Sequence, residues 1–273
     1  MEEYLWQSYN NVIFDCDSTI CAIEGIDELA DLKGKKKEVE ELTQKAMDGE
    51  LSFEAVFSKR LEIIKPHKND LEIIGKMYID SLVEDMKEII ETLQFLGKSI
   101  YIVTGGYATA VLTLGTDLKI PFDHIFANRL FFDSQGNYLG YQKDNPLCKN
   151  DGKKRVIQKI VGENKKSVFI GDSMTDLEVR DVVSRFIGYG GVIKRNSVFK
   201  KVDVYVESES MVGLLPYIIG ESDCQKLLKS EYRYLCQKGF TNLFVEQSVT
   251  FNNNFDRIIS NQIKKKMLRY IDN

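Results

Sequence analysis

Histidine is nearly absent from this chain, with two in 273 residues. His67 follows a proline and His124 sits in an expected loop, so neither stands in a ligand or catalytic pattern and histidine-based catalysis is set aside. No apolar run approaches the ~20 residues of a membrane span. Met1 to Asn10 is acidic and polar and lacks the hydrophobic stretch of a signal peptide. There is no internal repeat and no low-complexity linker. Five cysteines, an odd number without paired metal-type spacing, predict reduced thiols in a cytoplasmic protein, with Cys16 a buried filler. A formal charge of −4 lacks the basic excess that binding nucleic acid requires. What the chain does have is 43% hydrophobic and 29% charged content, enough to bury a full core as one large domain or one domain plus an insert.

Three apolar runs end in polar residues suited to a ligand. Val12-Ile13-Phe14 runs into Asp15-Cys16-Asp17-Ser18-Thr19, Ile100 to Val103 into Thr104-Gly105-Gly106, and Val168-Phe169-Ile170 into Gly171-Asp172-Ser173-Met174-Thr175-Asp176. Continuous apolar runs are the mark of parallel strands buried on both faces, and α/β folds bind ligands at the carboxyl ends of such strands. Two aspartates one residue apart repel unless a metal or a substrate needs them there. An Asx turn is the plainer alternative for Asp15 to Thr19, as is a simple strand-to-helix turn for Thr104-Gly105-Gly106. Three such ends together favour a site. Its glycines let backbone N–H groups approach an anion.

A cation is supplied by Lys153. The spacing predicts a helix from Asp151 to Val161, with Asp151 as N-cap and Val156, Ile157, Ile160 and Val161 as its buried stripe. Lys153 projects on that buried side, where a cation in the first turn opposes the helix dipole unless an anion offsets it. Lys154 and Arg155 point elsewhere.

Between the first two strands lies a helical insert, about Ile20 to Asp85, far longer than a crossover needs and read as a cap closing the site. Phe53, Val56, Phe57, Ile63 and Ile64 mark an apolar face on which Arg60 falls. A buried-side arginine needs an acidic partner, a carbonyl cluster or a ligand anion, and a ligand carboxylate suits its two-pronged geometry. An internal pair with a cap glutamate is the alternative. Glu24 either favours a helix N-terminus or faces the ligand. Ile125 to Tyr141 reads as short β segments meeting in a hairpin at Asp133 to Asn137. In the tail, Asp256 to Ile271 reads as an amphipathic helix with Ile259, Ile263, Met267 and Ile271 four apart. It predicts packing on the protein's own core, or else a homodimer or partner contact.

Taken in order, Asp15-x-Asp17-Ser18-Thr19, Thr104-Gly105-Gly106, Lys153 and Gly171-Asp172-x-x-Thr175-Asp176 resemble the haloacid dehalogenase-like phosphatases. Longer stretches narrow the resemblance to the phosphoserine phosphatase family: Glu24 to Ala30, Ala46 to Phe53, Phe126 to Leu130 and Phe186 to Gly191. It covers about Asn11 to Tyr217, and the tail beyond resembles no family. The resemblance implies an α/β, Rossmann-like three-layer core with a parallel sheet over residues 1–19 and 86–216. It also implies a helical cap at 20–85 and leaves a helical C-terminal extension at 217–273.

The chemistry implied is Mg²⁺-dependent hydrolysis of O-phosphoserine through an aspartyl-phosphate, the last step of serine biosynthesis. Asp15 is implied to be the nucleophile and Asp17 the general acid and base. Asp15, the Asp17 main-chain carbonyl and Asp172 would hold the metal. Thr104 and Lys153 would hold phosphate oxygens beside Gly105 and Gly106, and Asp176 would orient Lys153 or a water on the metal. Glu24 and Arg60 match residues binding the amino and carboxylate ends of serine, while Met47 and Phe53 match apolar wall residues that periodicity alone would place in the core. Thr175 stands where several members carry Asn or Thr. Arg195 matches a basic residue near the site, and Asn128 borders the active-site loop or else caps a turn. Two other functions are weighed: a phosphatase or phosphotransferase for another small phosphomonoester, and a non-catalytic binding module. Glu24 and Arg60 argue against the first, and the intact set Asp15, Asp17, Lys153 and Asp172 against the second.

Overall fold

The computed structural model describes residues 7–47, 51–161, 166–244 and 248–271. In chain order the elements are β1 (Asn11–Phe14), α1 (Gly25–Leu32), α2 (Lys36–Met47), α3 (Phe53–Ile64), α4 (Lys68–Asp80), α5 (Met86–Phe95), β2 (Ser99–Tyr107), α6 (Ala108–Asp117), β3 (Ile125–Asn128), β4 (Leu130–Phe132) and β5 (Tyr138–Tyr141). They continue with α7 (Gly152–Val161), β6 (Ser167–Gly171), α8 (Met174–Leu177), β7 (Arg185–Tyr189), α9 (Asn196–Phe199), β8 (Val204–Val206), α10 (Leu215–Ile218), α11 (Glu221–Leu228), α12 (Arg233–Phe244), β9 (Val249–Phe251) and α13 (Asn254–Ile271). No helix among the described residues is long and apolar enough to cross a membrane. Two compact units divide the chain. One comprises Met1–Asp15, Val83–Ile100 and Val161–Asn273, the other Cys16–Leu82 and Tyr101–Ile160.

The first unit is built on strands whose side chains are covered on both faces. Val12, Ile13, Phe14, Val168, Phe169 and Ile170 are fully buried, and they pair in parallel register, Val12 with Val168 through Phe14 with Ile170. β6 pairs with β7 and β7 with β8, again in parallel. β1 and β6 are two of the apolar runs that the sequence predicts as parallel strands. At the far side β9 pairs antiparallel with β8, an arrangement common at the edge of α/β sheets.

The tail belongs to this unit's core. Leu227, Leu235, Phe240 and Ile263 are buried, and Cys224 and Cys236 face each other with sulfurs 3.3 Å apart. All five cysteines are free thiols and buried, as predicted for Cys16. A buried ion pair fixes the tail's start, with Lys98 Nζ 2.9 Å from Asp223 Oδ2. Lys98 also donates to Ser8 Oγ and the Tyr9 carbonyl, and the Ser8 hydroxyl donates to Asp223.

The second unit sets helices α1 to α4 with α6, β2, β3 and the β4–β5 hairpin. Asp133 accepts from the Gln135 and Asn137 amides and so closes the predicted turn. Gly75 lets α4 lie against α6, since a Cβ there would meet the Thr113 side chain at 2.7 Å. One expectation needs correction. Thr104-Gly105-Gly106 does not end the second strand, because β2 runs on to Tyr107, which pairs with Asn128. The register shifts between Val103 and Tyr107, and this irregularity admits the glycines without ending the pairing.

Burial alone would raise the Asp223 carboxyl, but the hydrogen bonds from Ser8 and Lys98 and the Lys98 charge hold it below its ordinary value. A depressed folded-state value contributes stability that is complete above about pH 4, the unfolded value, and is lost as pH falls through the folded one. Asp223→Asn should therefore flatten the loss of stability below that pH. Asp223→Ala, which strands the Lys98 ammonium, should cost about 3–5 kcal/mol at neutral pH. Urea unfolding across pH reads both.

Candidate active site

In the first unit, the register that aligns β1 with β6 also aligns the acids that follow them. The Asp15 N–H donates to the Ile170 carbonyl at 3.0 Å, extending the pairing one residue beyond Phe14. Asp172 follows Gly171 at the end of β6. Asp176 enters from the first turn of α8, where its Oδ2 accepts from the Ser173 N–H at 2.9 Å and the Ser173 hydroxyl at 2.6 Å. Ligand oxygens of Asp15, Asp172 and Asp176 lie within 4.8 Å of one another, with the residues 5%, 1% and 0% exposed. Gly171 keeps the space open, since a Cβ there would stand 2.5 Å from the Asp176 carboxyl carbon. Thr175 Oγ1 lies 2.9 Å from Ser173 Oγ and thus borders the cluster.

Three buried carboxylates this close repel one another unless a cation lies among them. Within the unit, Arg195 Nε donates to Asp172 Oδ2 at 2.7 Å and brings one positive charge to it. The donor set is all hard oxygen, which fits a small divalent cation.

The second unit gathers the remaining groups around Asp17. Its Oδ1 accepts from the Gly25 N–H and from the Tyr78 hydroxyl, both at 2.7 Å. Thr104 Oγ1 stands 3.4 Å from Oδ2 and accepts from the Gly106 N–H at 2.9 Å. Burial and the Asp17 charge push the Tyr78 phenol well above its ordinary value, so it stays a donor. Asn128 is buried, and its amide donates to the carbonyls of Gly105 at 2.9 Å and Leu147 at 3.2 Å. It ties the glycine strand to the loop before α7. On that helix Lys153 is 7% exposed, beside buried Gly152, Val156 and Ile157.

The α1 and α3 helices bring the charged groups expected to read a substrate. Ser18, at φ 51°, donates to Glu24 Oε1 at 2.7 Å. The Phe53 ring covers Gly105, where a Cβ would meet it at 3.6 Å. Arg60 is half-buried, and its Nε, which is buried, has no hydrogen-bond partner among the described residues. Burial raises the Asp27 carboxyl, and the nearby Arg60 charge lowers it in part. The side chain of Met47 lies outside the described residues.

Two participants, Tyr78 and Asp27, escaped sequence reasoning. Tyr78 continues the buried stripe Leu71, Ile74, Gly75 of α4, so its spacing signals core alone. Asp27 stands within the stretch that carries the family resemblance, and that position was its one signal.

A family model described as haloacid dehalogenase-like hydrolase matches residues 9–179. A phosphoserine phosphatase of Drosophila melanogaster is 34% identical over 206 residues, 74% of this chain and 76% of that protein. The human phosphoserine phosphatase is 34% identical over 205 residues, 74% of this chain and 91% of that protein. The chain belongs to the haloacid dehalogenase-like hydrolases, in the phosphoserine phosphatase family. A solved phosphoserine phosphatase carrying an analogue of the phospho-aspartyl intermediate superposes with a TM-score of 0.66 at 28% identity, covering 78% of this chain and 100% of that one. The α/β core of these hydrolases is thus the fold of this chain.

If the acid cluster of this family member holds a divalent ion, loss of one carboxylate should weaken the ion more than the fold. Asp172→Asn should raise the Mg²⁺ concentration at half-saturation by about 10-fold or more, read by calorimetric titration. Its melting temperature without metal should stay the same or rise, because a repelling charge has gone.

Proposed function

We propose that the chain hydrolyses O-phosphoserine to serine and phosphate, using Mg²⁺ and an aspartyl-phosphate on Asp15. The observation that carries the substrate is Arg60, with a buried Nε that no described group satisfies. A buried guanidinium donor calls for an anion, and a carboxylate takes it through two parallel hydrogen bonds. Glu24 and Asp27, in the same unit, offer negative charge to an ammonium group. A compound with both charges and a phosphate answers all three groups. The relatives' names give the same compound.

Asp15 attacks phosphorus, and the P–O bond to the serine oxygen breaks. Asp17, separated from it by Cys16 alone, protonates the departing oxygen. The Asp17 carboxylate then takes a proton from the water that cleaves the acyl-phosphate, restoring both residues. Thr104 and Lys153 hold phosphate oxygens beside Gly105 and Gly106, and Phe53 walls the serine end. Asp15, Asp172 and the Asp17 main-chain carbonyl would hold Mg²⁺, whose charge would offset the repulsion between the attacking carboxylate and the phosphate. Asp176 and Arg195 orient this set, and Asn128 braces its glycines. Residues 20–85 act as the specificity cap. The buried thiols and the family's place at the end of serine biosynthesis fit a cytoplasmic setting. Buried Ile263 and the Lys266–Glu221 pair favour a tail that packs on its own unit over a dimer contact.

Phosphate release across a panel of small phosphomonoesters, with and without Mg²⁺, tests the reading, and O-phosphoserine should rank first. Asp15→Asn should remove both turnover and the trapped phosphoenzyme while leaving the circular dichroism spectrum intact. Arg60→Ala should weaken O-phosphoserine by about 2–5 kcal/mol and leave an aryl phosphate that lacks a carboxylate nearly unaffected. Equal losses on both compounds would make Arg60 a structural cation.

A further inference from the structure

The mechanism above leaves Tyr78 unused, although its hydroxyl meets Asp17 at 2.7 Å. Tyr78 is 1% exposed and sits in the last turn of α4, 61 residues along the chain from its partner. A buried tyrosine hydroxyl normally finds a hydrogen bond, and here the acceptor is the side chain assigned as general acid and base. Two glycines leave room for the contact. A Cβ at Gly25 would stand 2.1 Å from the Tyr78 hydroxyl oxygen, and one at Gly106 would stand 3.5 Å from it and 3.3 Å from Asp17 Oδ2.

The two carboxylate oxygens of Asp17 are therefore unlike. Oδ1 accepts two hydrogen bonds, from Gly25 N–H and Tyr78, whereas Oδ2 has the long 3.4 Å contact with Thr104. A proton on Oδ1 would displace one of these two donated hydrogen bonds, whereas on Oδ2 it displaces only the long Thr104 contact. The proton of the acid form thus belongs on Oδ2.

We propose that Tyr78 is a positioning residue that fixes the Asp17 carboxylate so that Oδ2 alone carries the proton to the leaving oxygen. The inference rests on the assignment of Asp17 as acid and base. As the phosphorus–oxygen bond to the leaving group breaks, its electron pair goes to the leaving oxygen, which takes the Oδ2 proton. In the second half of the cycle Oδ2 recovers a proton from the attacking water. Without the phenol, Oδ1 keeps a single donor and the carboxylate can rotate about its bond to Cβ, which misplaces the proton. Misplacement costs rate in proportion to the need for protonation.

Tyr78→Phe, which keeps the ring and its packing, tests this against a series of alkyl and aryl phosphates of rising leaving-group acidity. On O-phosphoserine, whose alkoxide leaves poorly, kcat/KM, which covers only the steps through release of the alcohol, should fall at least about 10-fold. On 4-nitrophenyl phosphate, whose leaving group needs no proton, the fall in kcat/KM should stay within about 2-fold, whatever happens to kcat through the water step that both substrates share. The ratio of the two rates in one sample is independent of the fraction of enzyme folded. Equal falls in kcat/KM across the series, or none, would overturn the proposal and make Tyr78 a core residue. A wild-type enzyme inactive on O-phosphoserine would instead defeat the substrate assignment, and the rest of the series would still judge Tyr78.

Discussion

Three carboxylates held nearly dry within 4.8 Å of one another set the terms for the first unit. Such a group repels itself, so the backbone has to bring the acids together and hold them there. Each comes from a different source of rigidity. Asp15 is fixed by the pairing that continues from β1 onto β6, Asp172 by the end of β6 and by Arg195, and Asp176 by two donors from Ser173. Gly171 completes the arrangement by leaving out a side chain. Packing energy elsewhere in the sheet, from fully buried residues such as Phe14 and Phe169, keeps the acids in register.

The sheet and the ends of its strands were legible because both are local patterns. A run such as Val168-Phe169-Ile170 has few ways to hide its side chains, and the acids that follow it in sequence also follow it in space. Less legible was the path of β2 through its two glycines, where an irregular register keeps a strand alive that propensity would end. Tyr78 was hidden for another reason. An aromatic ring at core spacing gives no sign of where its hydroxyl goes, and that depends on a partner 61 residues away. The Lys98–Asp223 pair, 125 residues apart, was unreadable on the same ground.

In the second unit the charges read as the complement of a zwitterion. Arg60 keeps a buried Nε without a hydrogen-bond partner among the described residues, while Glu24 and Asp27 lie on the segment that begins α1. Burial raises the Asp27 carboxyl and the Arg60 charge draws it part of the way back. The Arg60 charge thus offsets part of what burial does to Asp27.

β9 occupies the outer side of β8, where its Val249, Thr250 and Phe251 pair with Val206, Tyr205 and Val204. Those three β8 residues are buried, and a bare strand of that character would offer unpaired N–H and carbonyl groups to any other chain. The final segment is therefore a guard against self-templating as well as a packing element. A shortened form ending where the family resemblance ends would expose an adhesive strand even with the whole acid cluster in place. The residues that cover this edge thus lie beyond Arg195, the last residue of the candidate site.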